Sequence, residues 1–473
     1  MGGRPFRANA ECAEDDAVSD PKALLPQGLG DAVERAASAI ITQVGPRGGG
    51  GASRSGAELS LQWSDGTVRH AYMNYDVDRA GAGDDAAFLR EAGILRALSG
   101  PLRHACVRTA PYITSVPELR ALVTEKVAGE ANFHTVRDPA LRSAIAADLM
   151  GQLAALHRID ATSVEGLGAV RTVRDEILTR TQAIRAHVRA HGDDPLIHLA
   201  LDWLDNNVPP EPARVVVVHG DWGAGNFMFE GDRVTALLDW ELVHFGDPMA
   251  DMAMLCLRGL FQPLVPLPEA FAAYEAAGGE TVDLDRVRYW RLLFQTGFAS
   301  RARHEDPDAP PPPNLGMNMV YSMVHRRVLA QALAEASGID LPEVEMPDAA
   351  PGALDRSFNI ALDDLRDIIV PRIADQQASV KAKGLARLVK WWQAHARYGP
   401  GYDAAERNEL ARALGRFFAT RTEGREALRD AVLAGTIDRA VAISLVHARV
   451  VRENALMADA MGSLATTHFA PLE

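Results

Sequence analysis

Apolar positions follow two periods along this chain, and the change of period divides it. Ala57 to Trp63 and Val68 to Tyr75 are β-like runs separated by Ser64-Asp65-Gly66-Thr67. Asp-Gly between alternating runs predicts a hairpin, because such turns need residues that accept positive φ. A short helical pattern near Asp31 to Ile41 and the glycine-rich stretch Gly45 to Gly51 precede the hairpin. Downstream, Phe88, Leu89, Ala92, Leu95 and Leu98 recur at helical spacing behind an acidic start, which predicts a helix over Asp84 to Leu98. A further β-like run, Leu119 to Val127, stops at Gly129. Residues from about 30 to 127 therefore read as a small, mostly antiparallel sheet carrying one helix.

Beyond Gly129 the pattern turns helical, with Leu141, Ile145, Leu149, Leu153 and Leu156 on one face of a helix ending at His157, and a second helix over Val173 to His191. A β island, Arg214 to Glu241, interrupts before helical spacing resumes at Met249, Leu267 and Val287. Pro307 to Pro313 predicts a loop, since consecutive prolines neither donate nor continue a helix. The last part reads as helices alone: Arg356 to Val370, Ala378 to Tyr398, Asp403 to Phe418 and Asp438 to Ala460. Asp403-x-x-Glu406 looks like a capping box. The Pro-bearing acidic stretch Leu341 to Pro351 reads as a linker. The expected division is a loose tail at 1–22, a sheet-bearing region at 23–127, a helical region with the β island at 128–340, a linker at 341–354 and a helical domain at 355–473.

Composition changes this picture in three places. The 473 residues carry 49 Lys+Arg against 63 Asp+Glu, a net charge of −14 that argues against wholesale nucleic-acid binding. The surplus is uneven: Asp355 to Glu473 holds 17 basic and 15 acidic residues, leaving 32 and 48 before it. The three cysteines, Cys12, Cys106 and Cys256, are scattered and fit a reducing compartment without a disulfide framework or zinc site. No run is long and apolar enough for a membrane span, and Arg4 and Arg7 precede no apolar signal region. The expectation is a soluble, cytoplasmic protein without nucleic-acid or membrane partners.

The chemistry lies in the β island. Val215 to Val218 forms a buried strand that delivers His219-Gly220-Asp221 into a glycine-containing loop, and Asn226 opens the next strand. Gly231-Asp232 turns that strand into a third, which ends at Asp239. A two-residue turn pairs Glu230 with Arg233 and Asn226 with Leu237, which puts Asp239 on the face of Asn226. An amide oxygen and a carboxylate are hard ligands suited to Mg²⁺. Asp221, across the loop, is a carboxylate free to orient and deprotonate an acceptor hydroxyl. Taken singly, each of these acids also fits a capped turn or a solvated strand end. The spacing of His-Gly-Asp-x4-Asn, of Asp239 eighteen residues after Asp221, and of Gly246-Asp247-Pro248-x-x-Asp251 points to phosphoryl transfer.

These motifs resemble the aminoglycoside phosphotransferase/choline kinase family, relatives of protein kinases whose catalytic loop begins His-Gly-Asp. Leu153-Ala-Ala-Leu156-His157, Asp239-Trp240-Glu241 and Gly246-Asp247-Pro248-Met-Ala-Asp251 resemble further family motifs. The resemblance spans about residues 30 to 340. It implies an α+β fold of two protein-kinase-like lobes, a small antiparallel-sheet N-lobe and a mostly helical C-lobe, here followed by an all-α C-terminal domain. By resemblance Asp221 is the catalytic base, Asn226 and Asp239 hold Mg²⁺, and His219 and Asp251 brace the loop, with His157 structural. Glu91 is the helix acid that pairs the phosphate-binding cation, and Leu122 to Val127, with Glu125 and Val127, is the segment that meets the base of ATP or GTP. The forms Asp-Trp-Glu and Gly-Asp-Pro-x-x-Asp are most similar to phosphotransferases fused with, or encoded beside, acyl-CoA dehydrogenases, a branch that phosphorylates hydroxyacyl-CoA thioesters.

The N-terminal region departs from the family pattern, since no lysine occurs between Lys22 and Lys126 and the strand Val68 to Tyr75 carries Met73 and Asn74 where the cation is expected. Arg69 on that strand, or Arg54 and Arg79 in loops, are the substitutes available, and the Gly48–Gly51 run offers backbone N–H groups to phosphates. Two alternatives stay open: an antibiotic phosphotransferase, which the acidic surplus would suit, and a pseudokinase-like scaffold, which the missing lysine would suit. Leu385, Leu388, Val389 and Trp392 form the face expected to dock the C-terminal domain on the rest of the chain, while Lys390, Arg387, Arg397 and His395 offer an anion or partner surface. A small-molecule substrate is the expected partner, and a homodimer stays open.

Overall fold

The computed structural model describes residues 20–50, 54–77, 85–192, 194–212, 214–301 and 314–472. Most of the expected 1–22 tail, Arg79 and the Pro307–Pro313 loop lie outside these residues. The chain divides into two compact units: one comprises residues up to Pro101 together with Thr109–Val127, the other Leu102–Arg108 together with everything from Ala128 onward.

The first unit contains helix α1 (Leu29–Ala37), strands β1 (Ala39–Gly50), β2 (Arg54–Trp63) and β3 (Val68–Tyr75), helix α2 (Asp85–Ser99), and strands β4 (Tyr112–Val116) and β5 (Ala121–Glu125). Its sheet is antiparallel with strand order β1-β2-β3-β5-β4. The expected hairpin forms: Gly66 adopts φ 84°, and Thr67 N–H donates to Asp65 Oδ1 at 2.8 Å. Inward side chains at alternate positions, Ala57, Leu59, Leu61, Ala71, Met73 and Val123, form the core with Leu29 and Val33 of α1. The glycine-rich stretch begins inside strand β1 rather than as a separate loop, because Gly48 and Gly49 pair with Gly56 and Ser55.

The second unit is mostly helical. It contains α3 (Pro139–His157), α4 (Val173–His191) and α5 (Pro195–Asn206), then strands β6 (Val216–Val218), β7 (Phe227–Glu230), β8 (Arg233–Leu237) and β9 (His244–Gly246). Helices α6 (Met249–Gly259), α7 (Leu267–Ala276), α8 (Leu284–Arg301) and α9 (Leu315–Ala336) follow. The chain ends with α10 (Asp355–Asp363), α11 (Gln376–Leu414), α12 (Arg421–Leu433) and α13 (Arg439–Met461). Asp138, Thr172 and Asp194 cap α3, α4 and α5, each accepting a backbone N–H of the first turn.

Two expectations for the last part change. The two helices expected on either side of Tyr398 are one helix, α11, which runs through Pro400. A proline removes one hydrogen bond and bends a helix without always ending it. Asp403 and Glu406 are thus interior residues, and instead of a capping box they hold Arg407 at 2.9 Å and Arg425 at 2.6 Å. The inward face of α11 also shifts. Val389 is buried and Leu388 and Trp391 pack against an apolar cluster of Met319, Val320, Met323 and Val324 of α9 with Met457 and Met461 of α13, whereas Leu385 and Trp392 are exposed. Ionic contacts join the same elements: Arg326 pairs with the α5 cap Asp194 and faces Glu453 at 3.9 Å. Burial alone would push Glu453 up, but Arg449, Arg425 and Arg326 hold it at about 2.

Candidate active site

All three residues of β6 are buried, and the strand pairs with β9. Val218 leads directly into His219-Gly220-Asp221. The backbone there has no strand partner, so its donors need another acceptor. Asp251, in the first turn of α6, provides it: its carboxylate accepts His219 N–H at 2.9 Å and Gly220 N–H at 2.8 Å, and lies 3.1 Å from His157 Nε2. Burial alone would raise the Asp251 pKa, yet the His157 hydrogen bond and nearby imidazoles hold it below the ordinary carboxylate range. Gly220 has φ 85°, and a Cβ there would sit 2.4 Å from Leu242 O. Only glycine fits this crossing.

The His219 ring sets its own tautomer. Asp221 N–H can only donate, so Nδ1 at 3.3 Å accepts, and Nε2 carries the proton given to Leu238 O at 3.0 Å. Burial pushes this imidazole below its ordinary pKa, which agrees with the neutral form. Leu238 N–H in turn donates to Asn226 O at 2.9 Å. The residue preceding Asp239 is thereby tied both to His219 and to Asn226.

The hairpin register differs by one position from the expectation. Glu230 does pair with Arg233, but Thr235 is an extra residue between the Phe229–Val234 and Met228–Ala236 pairs, so Leu237 faces Phe227 rather than Asn226. Asp239 has φ 61°, so strand alternation does not continue to its side chain. Asn226 Nδ2 donates to Asp221 Oδ2 at 2.6 Å and to Asp221 O at 2.8 Å, which leaves Oδ1 as its acceptor atom. That oxygen has Arg258 Nη2 at 3.4 Å.

Arg258, near the end of α6, is the residue that sequence reasoning missed. Its Nη1 lies 2.8 Å from both Asp221 oxygens, and Nη2 and Nε donate to Ala224 O at 2.8 and 3.1 Å. The signal available was a lone arginine closing the otherwise apolar run Met252 to Leu257. Asp247, fully buried, anchors the motif after β9: Arg286 Nε and Trp290 Nε1 donate to Oδ2, each at 2.9 Å.

In the first unit, Glu91 of α2 accepts Arg54 Nη1 at 2.5 Å, with side-chain exposures of 4% and 10%. Arg54 opens strand β2 and does not lie in a loop. Arg69 is engaged elsewhere: it pairs with Glu125 at 2.6 Å and stacks over Trp63. Met73, where a cation was expected, is core opposite Val123. Val127 is half-buried just past β5. The nine expected site residues thus fall into separate sets: His219, Asp221, Asn226, Asp239 and Asp251 along one loop system, Glu91 with a different arginine, Arg69 with Glu125, and Val127 apart.

Residues 77–290 match the model of the phosphotransferase enzyme family. The chain carries a phosphotransferase-family domain. Human acyl-CoA dehydrogenase family member 11 is 34% identical over 135 residues, 27% of this chain and 17% of that protein. Mouse acyl-CoA dehydrogenase family member 10 is 31% identical over 139 residues, 28% of this chain and 13% of that protein. The matched stretch thus spans less than a fifth of either relative. Among solved structures, the macrolide 2′-phosphotransferase MphH from Brachybacterium faecium superposes with a TM-score of 0.44 at 20% identity, covering 67% of this chain and 99% of that one. The described chain has an antiparallel-sheet N-terminal region and a mostly helical remainder, and the phosphotransferase match begins just after β3. Among the described residues, no helix is long and apolar enough to cross a membrane.

Proposed function

We propose that this chain transfers the terminal phosphoryl group of ATP or GTP to a hydroxyl of a small molecule, with a hydroxyacyl-CoA thioester as the acceptor class. The observation that carries this is the Asp221 carboxylate, held on a loop whose backbone is fixed by Asp251 and to which Asn226 donates through Nδ2. Among the described residues Oδ2 already receives two donors, Asn226 Nδ2 and Arg258 Nη1, whereas Oδ1 receives Arg258 alone. Oδ1 is therefore the atom that takes the acceptor's proton. The acceptor oxygen bonds to the terminal phosphorus as the bond to the leaving nucleoside diphosphate breaks.

Asn226 Oδ1 and Asp239 would hold Mg²⁺. Their oxygens are hard ligands, which suit Mg²⁺, an ion that keeps several waters and binds through one or two carboxylates plus phosphate oxygens. The ion would supply charge neutralisation at the phosphates. In the N-terminal region the buried Arg54–Glu91 pair supports Arg54 as the phosphate-facing cation in place of lysine, with Arg69, Glu125 and Val127 toward the nucleotide's base.

The relatives' names, acyl-CoA dehydrogenase family members, favour an acyl-CoA acceptor over a polycationic antibiotic. On this reading the C-terminal helices dock within the chain, supported by the Met457 and Met461 contacts to α9 and by Arg327 donating to Ala465 O at 2.6 Å. A phosphotransfer screen with Mg·ATP and Mg·GTP over hydroxyacyl-CoA esters and aminoglycosides tests the proposal. The expected result is transfer to a CoA ester that Asp221→Ala abolishes with the melting temperature retained. Absence of nucleotide binding with any divalent metal would favour a scaffold instead.

A further inference from the structure

We propose that Arg258 is a positioning residue for the proposed base, a cation delivered to the catalytic loop from helix α6 because the loop carries none. The inference rests on the phosphotransferase reading above. From Asp221 to Asn226 the loop reads Asp-Trp-Gly-Ala-Gly-Asn, so no basic side chain lies between the base and the amide. Arg258 fills that place from 37 residues away.

Two sets of contacts fix the guanidinium. Nε and Nη2 grip the carbonyl of Ala224, so the group is anchored to the loop backbone independently of Asp221. Nη1 then spans both carboxylate oxygens at 2.8 Å, which sets the rotation of the carboxylate about its last bond. Asn226 fixes the same rotation from the other side through Oδ2. The carboxylate is held at three points and presents Oδ1 in one direction. The loop's sequence accommodates this: a Cβ on Gly223 would lie 3.0 Å from Arg258 Cδ and 3.1 Å from its Cβ, and one on Gly225 would lie 3.0 Å from Nη2. Gly223 and Gly225 have φ 147° and 95°, backbone states that other residues rarely adopt. The glycines and the arginine form one device, in which the small residues make the space that the guanidinium occupies.

The role separates from a structural one by kinetics and by coupling. Arg258→Ala should lower kcat about 100-fold, the scale expected when a reacting group is displaced by about 1 Å, while KM for the nucleotide changes by less than about threefold. Arg258→Lys should recover part of the loss, and added guanidinium ion should partly rescue Arg258→Ala but not Asp221→Ala. A second readout needs no activity. In a double-mutant cycle of Asp221→Ala and Arg258→Ala followed by thermal unfolding, the melting shifts should be non-additive. Additive shifts, or an Arg258→Ala variant with unchanged kcat, would overturn the role of Arg258 while leaving an active wild type as a phosphotransferase. A wild-type chain that transfers no phosphoryl group removes the function assigned to the site and the catalytic role of Arg258 with it. Should Arg258→Ala fail to fold, Arg258→Met, which keeps the aliphatic stem without the guanidinium, gives the same test: loss of kcat with the melting temperature retained supports the device and full activity overturns it.

Discussion

Replacing Asp251 with asparagine tests how the candidate loop is held. The carboxylate is fully buried and takes His219 N–H, Gly220 N–H and the contact with His157 Nε2. An amide of the same shape keeps one acceptor oxygen and sets two donor hydrogens against backbone or ring donors. At least one buried N–H then loses its partner, at about 1–3 kcal/mol, and the remaining bonds lose their charge assistance, worth about 1 kcal/mol each. The expected cost is about 3–5 kcal/mol, a large share of the ~5–15 kcal/mol typical of a domain. Urea unfolding at pH 7 measures it. Trp222 and Trp240, whose rings lie 5.5 and 4.6 Å from His219, give a local signal for the loop in near-UV circular dichroism. The reasoning predicts a lower midpoint and a changed tryptophan signal before global unfolding. A variant within about 0.5 kcal/mol of wild type, with the tryptophan spectrum intact, would refute it, since surface substitutions fall in that range.

Three further outcomes follow from other parts of the molecule. Arg54→Ala removes the guanidinium from the buried Glu91 and should cost about 3 kcal/mol in a urea titration while raising KM for the nucleotide; Arg69→Ala, at a half-exposed pair, should cost less than about 1 kcal/mol. Burial pushes His325 down to about 4, with Gln295 Nε2 donating to its Nδ1 at 3.1 Å and Phe261 and Phe298 against the ring. The folded imidazole stays neutral while the unfolded one binds a proton below about 6.5, so this group's contribution is complete above pH 6.5 and falls by about 3 kcal/mol on the way to pH 4; His325→Gln should flatten that part of the stability–pH curve, and parallel curves would refute the assignment. Truncation before Asp355 strips Met457 and Met461 from Met319, Val320, Met323 and Val324, and should give an insoluble or aggregating product by sedimentation.

Elements with a one-sided stripe or a local punctuation mark were legible in the sequence, and elements lacking both were not. The β2–β3 hairpin follows from Asp65-Gly66, and α4 runs over the residues its pattern indicates, Val173–His191. Helix α5 escaped because it is apolar on nearly every side: Pro195, Leu196, Ile197, Leu199, Ala200, Leu201 and Leu204 are all buried, which leaves no amphipathic period to read. Helix α12 escaped for the opposite reason, since its polar sequence Arg-Thr-Glu-Gly-Arg-Glu-Ala-Leu buries only Gly424, Ala427 and Leu428. Strand β4, five residues at the sheet edge, is too short for alternation to stand out.

The polar residues of the candidate loop announce themselves through motif spacing, whereas arginines that pair with distant acids do not. Asp221, Asn226, Asp239 and Asp251 belong to local patterns around strands and a helix start, so spacing finds them. Arg54 and Arg258 reach their acids from 37 residues away in each case, and no local rule links an arginine to a carboxylate at that distance. The position expected for a lysine is occupied by the core residue Met73, and the arginine that meets Glu91 sits at the start of the neighbouring strand. A net charge of −14 therefore misdescribes these places. Each of these two acids, buried or half-buried, holds a guanidinium, and within each pair the Coulomb terms are less screened than between exposed carboxylates elsewhere on the surface.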